Sequence, residues 1–170
     1  MKISFLFFLG VLVLGCEKEK ENPPVEITGQ LINSTECKDF LKSTKGSSIT
    51  PDSLSCIEWT YNREDSILTF KHVNAGFNCC PEELTCEVST SGDTIVIEEF
   101  EKSSLCDCDC LYDLDIVING VLDKTYKIKM IEPYARDEAE LFFEIDLSTI
   151  DSGSHCVVRK RYPWGIHGSN

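Results

Sequence analysis

Ten cysteines stand in this 170-residue chain, and their spacing is its most informative chemistry. Nine lie beyond Cys16: Cys37, Cys56, Cys79, Cys80, Cys86, Cys106, Cys108, Cys110 and Cys156. Two are adjacent, and three alternate with aspartates in Cys106-Asp107-Cys108-Asp109-Cys110. Side chains of an extended strand alternate between its faces, so the three sulfurs share one face, followed by Tyr112 and Leu114. Asp107, Asp109, Asp113 and Asp115 take the other. Sulfurs two residues apart in a strand sit at the outer limit of disulfide geometry, so they need partners on another strand. Ser91-Gly92-Asp93 is a hairpin signal between two β-like runs, and a hairpin there brings Cys79 and Cys80 back beside the triple. The expectation is a disulfide from Cys79 or Cys80 to a member of the triple, with two such bonds. Pro81 can shift the register, so the exact pairing stays open. Cys37, Cys56 and Cys156 complete the disulfide candidates. An odd number of thiols leaves at least one free, paired between chains or bound to metal.

A metal site competes with this scaffold. Cys79, Cys80, Cys106, Cys108 and Cys110 with His72, and further off His155 and His167, offer a sulfur-rich set for zinc or copper(I). Zinc knuckles, however, use Cys-x-x-Cys, which lets two thiolates of one turn reach a tetrahedral centre. Neither Cys-Cys nor Cys-x-Cys has that spacing. The aspartate face could gather calcium, but a solvated strand face explains it as well. The disulfide scaffold is the favoured reading, and no cofactor is expected.

The redox compartment follows from the start of the chain. Lys2 precedes an apolar run over residues 3–14. Spanning a bilayer takes about 20 residues, so this run has the length of a signal-peptide core. It ends in Val13-Leu14-Gly15-Cys16, which resembles the lipobox of bacterial lipoproteins. That resemblance implies cleavage before Cys16 and acylation of both its thiol and its new amino terminus. Several acyl chains at roughly 0.8 kcal/mol per buried methylene make a lasting anchor. Residues 1–15 then form the signal peptide, 16–27 a lipidated tether and 28–170 a cysteine-rich β domain. The tether is charged and proline-bearing and cannot seed a core. Its acidic residues next to Cys16 resemble the surface-export signals of Bacteroidota lipoproteins, which points to the outer membrane. An exported compartment is oxidising, so disulfides are the default there.

The remaining length suits one domain. Removing residues 1–15 leaves 15 basic and 29 acidic residues, a surface that repels nucleic acid and anionic headgroups. The partners expected are the membrane, through Cys16, and a glycan or a protein. β-like runs occur over 57–61, 67–73, 84–90, 94–100, 111–118, 125–131, 141–147 and 156–162. Asn119-Gly120 reads as a second hairpin turn, and one short helix is expected over 36–43. Seven or eight short strands joined by turns argue for an all-β fold, an antiparallel β-sandwich.

Catalytic motifs are absent: no Gly-x-Ser-x-Gly elbow, phosphate-cradling loop, His-Glu-x-x-His or helix-start Cys-x-x-Cys occurs, and no enzyme is expected. His72, in an apolar strand context, reads as a hydrogen-bonded core histidine. Most aromatics read as packing; Tyr162 and Trp164, near the chain end, are the candidates for an exposed ligand-contact element. His72-Val-Asn-Ala-Gly-Phe-Asn-Cys-Cys80, Cys106-Asp-Cys-Asp-Cys-Leu-Tyr-Asp113 and Arg161-Tyr-Pro-Trp-Gly165 together resemble a family of cysteine-rich Bacteroidota lipoproteins. The resemblance spans Cys37 through Gly165. It implies an envelope location and disulfides, and no activity.

Overall fold

The computed structural model describes residues 26–38, 50–103 and 106–164. Cys16, the tether to residue 25 and most of the segment expected as a helix fall outside these residues. Of that segment, Glu36, Cys37 and Lys38 are described and have no regular secondary structure.

Among the described residues there are nine strands: β1 (Thr28–Ser34), β2 (Leu54–Asn62), β3 (Ile67–Asn78), β4 (Pro81–Ser91), β5 (Thr94–Ser103), β6 (Asp109–Asn119), β7 (Thr125–Ile131), β8 (Phe142–Asp146) and β9 (Ser152–Val158). One sheet has the order β1-β6-β3-β2-β9 and is antiparallel throughout; the other runs β4-β5-β7-β8. The sandwich is thus as expected, with β1 as an additional strand. Two features differ. β5 and β7 pair in parallel, so the second sheet is mixed. The segments either side of Asn119-Gly120 do not form a hairpin, because β6 and β7 belong to opposite sheets. Val121 is fully buried there, and its N–H donates to the carbonyl of Ser66 at 3.0 Å, which carries the chain across the sandwich instead of back along β6.

Period-two alternation builds the core. Ile57, Trp59 and Tyr61 of β2, Leu68 and Phe70 of β3, Ile95 and Ile97 of β5, and Tyr126, Ile128 and Met130 of β7 all point between the sheets. Burial of each such side chain is worth about 1.5–3 kcal/mol. A bulge in β3 then resets the phase. Asn74 has φ +63°, a left-handed conformation that asparagine tolerates, and the β3–β6 register shifts between Val73 and Ala75. Beyond it Ala75 and Phe77 join Cys110, Tyr112 and Leu114 in a second cluster at the end of the sandwich.

The bulge is held by polar groups. Asn74 Nδ2 donates to the carbonyls of Pro51 (2.9 Å) and Leu54 (2.6 Å), while Lys38 Nζ donates to Asn74 Oδ1 at 2.6 Å. The Asn74 N–H donates to Asp113 Oδ1 at 3.0 Å, and Lys38 pairs with the same carboxylate at 2.5 Å. Asn33 on β1 donates to Asp115 at 3.0 Å. Two members of the aspartate face are therefore matched by donors from the segment 33–38, which relieves the like-charge repulsion along β6.

Candidate functional site

The sulfur cluster is assembled by β3 and β6. Phe77 lies opposite Cys110 and Asn78 opposite Asp109, and the same register carried one residue on sets Cys79 against Cys108. The Cys79 N–H donates to the Cys108 carbonyl at 3.1 Å, and the two sulfurs are bonded. Cys80 is bonded to Cys106, Cys37 to Cys110 and Cys56 to Cys156. Two bonds thus join Cys79 and Cys80 to the triple, as expected. Cys110, the third member, faces the core and reaches back to Cys37. Cys86 is the free cysteine among the described residues. Burial, reinforced by Glu99, pushes its thiol up to about 11, which leaves it a poor nucleophile at neutral pH.

Asn78 organises the turn between the two cysteine segments. Its Nδ2 donates to the Cys106 carbonyl at 2.9 Å, and its Oδ1 accepts from the Cys80 N–H at 3.0 Å. Its own N–H donates to Glu101 Oε2 at 2.8 Å, and its carbonyl accepts from the Tyr112 hydroxyl at 3.0 Å. Tyr134 donates to the other Glu101 oxygen at 2.6 Å. Burial and the Glu101 carboxylate push both phenols up to about 12, so they stay protonated donors. Cys79 and Cys80 line a half-open cavity of about 310 Å³ together with Pro81, Glu82, Glu83 and Tyr112.

Among the described residues, one group of potential metal ligands converges: the sulfurs of Cys79, Cys106 and Cys108 lie within 4.8 Å of one another. Three thiolates at that separation suit zinc or copper(I), but only after both disulfides are reduced. His72 is not part of this group. It sits fully buried between the sheets, in a second polar cluster that the sequence reading did not anticipate.

That cluster continues the core-facing rows of four strands. Ser55 precedes Ile57 on β2, His72 follows Phe70 on β3, Glu99 follows Ile97 on β5, and Glu132 follows Met130 of β7, each two residues on in the same phase. His72 Nδ1 lies 2.6 Å from Glu99 Oε1, and its Nε2 lies 2.9 Å from Ser55 Oγ. Glu132 Oε1 is 3.8 Å from His72 Nε2, and its other oxygen accepts from Arg159 Nη2. Arg159 also donates to the carbonyl of Ala139 at 2.7 Å and to Ser55 Oγ at 3.2 Å. His72 and Arg159 thereby face the side chains of Glu99 and Glu132 inside the core.

Serine, histidine and a carboxylate in this order match the outline of a nucleophile relay. The protonation state runs the other way. Burial opposes charge on His72, but Glu99, with help from Glu132, outweighs it and raises the pKa above the ordinary histidine value. A charged ring donates from both nitrogens, so Ser55 Oγ accepts from His72 and from Arg159 and its proton is not drawn off. Ser55 is also fully buried. The cluster is an internal network of ion pairs and hydrogen bonds. A raised folded-state pKa contributes stability that is complete below about pH 6.5 and is lost as pH rises through the folded value. The unfolding free energy should therefore fall with rising pH above that point, and His72→Gln should flatten this part of the profile; equal slopes in the two proteins would contradict the assignment.

The two aromatic candidates separate. Tyr162 is 46% exposed, but Trp164, expected on an exposed element, is fully buried. Its ring lies over Gly76, where an added Cβ would come within 2.1 Å of it, and the Arg159 guanidinium stacks on it at 4.7 Å. The closing segment turns inward because a large apolar ring finds a glycine-made recess on β3. Comparison of the chain with protein-family models, curated proteins and solved structures finds no match.

Proposed function

We propose that this chain is an exported protein anchored by lipid at Cys16 to the bacterial outer membrane, and that its disulfide-stabilised β-sandwich serves there as a binding or structural module. The observation that carries this reading is the set of four disulfides, since such bonds persist in oxidising compartments and are rare in the cytosol. The lipobox-like Val13-Leu14-Gly15-Cys16, the charged tether and the resemblance to Bacteroidota lipoproteins support it. The acidic surface argues for a partner that is neither nucleic acid nor an anionic headgroup. Tyr162 presents a partly exposed aromatic ring on which a glycan could stack or a protein dock.

The test is fractionation and intact mass of the full-length protein expressed in a bacterial host. The wild-type chain should partition with membranes and begin at an acylated Cys16. Cys16→Ala should lose the acyl mass and leave the membrane fraction. A wild-type mass without acyl chains, or membrane retention of the variant, would overturn the anchor.

A second reading, a zinc or copper(I) centre, rests on the convergence of the Cys79, Cys106 and Cys108 sulfurs. Thiol counting separates the two. At most one free thiol and no bound metal supports the scaffold, whereas several free thiols with stoichiometric metal supports the metal centre.

A further inference from the structure

We infer that Cys79, Cys80, Cys106 and Cys108 form a single thiol–disulfide exchange unit, distinct from the two bonds that hold the scaffold, and that its substrate class is an external dithiol. Three observations point to it. The Cys79, Cys106 and Cys108 sulfurs, drawn from both bonds, lie within 4.8 Å of one another, so a thiolate freed at Cys106 already stands beside the Cys79–Cys108 bond. Neither bond of this unit has a buried end, whereas Cys110 and Cys56 bury one end of each of the others at 0% and 4% exposure. Cys79 and Cys80 line the 310 Å³ cavity, which provides an approach from solvent. Thiol–disulfide exchange depends on access to the attacked sulfur, and a bond with no buried end offers it.

The exchange proceeds by successive displacements at sulfur. A thiolate of the dithiol attacks Cys80 Sγ, forming a mixed disulfide and releasing the Cys106 thiolate. Cys106 attacks Cys79 Sγ; the Cys79–Cys106 bond forms and the Cys108 thiolate leaves. The second thiol of the external dithiol then attacks its own mixed-disulfide sulfur and releases Cys80. The dithiol is oxidised to its disulfide, one protein disulfide is reduced, and the two protons of the dithiol end on Cys80 and Cys108. Glu36, Glu82 and Glu83 around the cavity disfavour an anionic reductant, so the fitting dithiol is neutral or cationic. They also hold thiols in their protonated form, so exchange accelerates as pH rises.

The experiment uses the full-length oxidised protein in a Cys86→Ser background, which removes the free thiol found among the described residues. It is treated with limiting dithiothreitol, quenched with N-ethylmaleimide and mapped by proteolysis and mass spectrometry. Expected are label on Cys80 and Cys108 together with a Cys79–Cys106 bond, while Cys37–Cys110 and Cys56–Cys156 remain closed. Cys80→Ala provides the second arm, since it leaves Cys106 unpaired without any reductant. It should contain Cys79–Cys108 and Cys79–Cys106 isomers that interconvert faster at higher pH. Recovery of Cys79–Cys108 alone from Cys80→Ala, or loss of all four bonds in step during the titration, would overturn the exchange unit.

Discussion

Replacing Cys56 and Cys156 together by alanine is expected to lower the unfolding free energy by about 4–5 kcal/mol, the loop-entropy figure for a crosslink spanning about 100 residues. The bond closes a sequence separation of 100 residues, against 73 for Cys37–Cys110 and 26 for Cys80–Cys106. In the chain-entropy model the Cys80–Cys106 loop is worth about 3.5 kcal/mol, so the order of the two losses is itself a prediction. Structure adds to entropy here. Among the described residues β9 is an edge strand paired with β2, and the bond joins residues directly opposite in that pairing. Releasing β9 also loosens Arg159 and Trp164 just beyond it. Urea denaturation of the oxidised double variant against Cys80→Ala/Cys106→Ala checks the order. A larger loss from the short loop would show that local packing, and not loop length, sets the contribution.

Arg159→Met is expected to destabilise the domain by about 3–5 kcal/mol, the cost of leaving a buried charge uncompensated. Methionine keeps most of the volume, so little of the effect is a cavity. What is lost is the partner of Glu132, whose side chain is buried. Combining Arg159→Met with Glu132→Leu should recover part of the loss, because an apolar pair in place of a buried ion pair is often neutral or stabilising. Denaturant midpoints of the two single variants and the double variant measure this coupling. If the double variant is no better than Arg159→Met, the guanidinium acts mainly through Ala139 and the Trp164 ring.

Legibility in the sequence followed the range of the interactions. Apolar alternation over 57–61, 67–73, 94–100 and 125–131 depends on neighbours two residues apart, and those segments are strands. The Gly92 turn is equally local, and β4 and β5 close on it with Ser91 opposite Thr94. β1 escaped notice because Thr28–Ser34 is mostly polar and exposed; its strand state comes from pairing with β6. The Asn119-Gly120 turn misled for the complementary reason. Asn-Gly permits a tight hairpin, but the burial of Val121 and the pairing of β7 with β5 outweigh that local preference.

The sequence alone specified the sandwich class, the joining of Cys79 and Cys80 to the cysteine triple, and the acidic character of the surface. Each depends on composition, on alternation or on one short turn. The polar cluster was readable in principle, since His72, Glu99 and Glu132 extend apolar rows in phase. Its meaning was not, because only the stacking of two sheets brings those three rows and Arg159 to one level. The specific sulfur pairing had the same origin. A one-residue bulge at Asn74 shifts the β3–β6 register by one and sets Cys79, rather than Asn78, against Cys108. Backbone phase is a local property, while register between distant strands is a sum over the whole sheet, and the chemistry of this domain rests on the second.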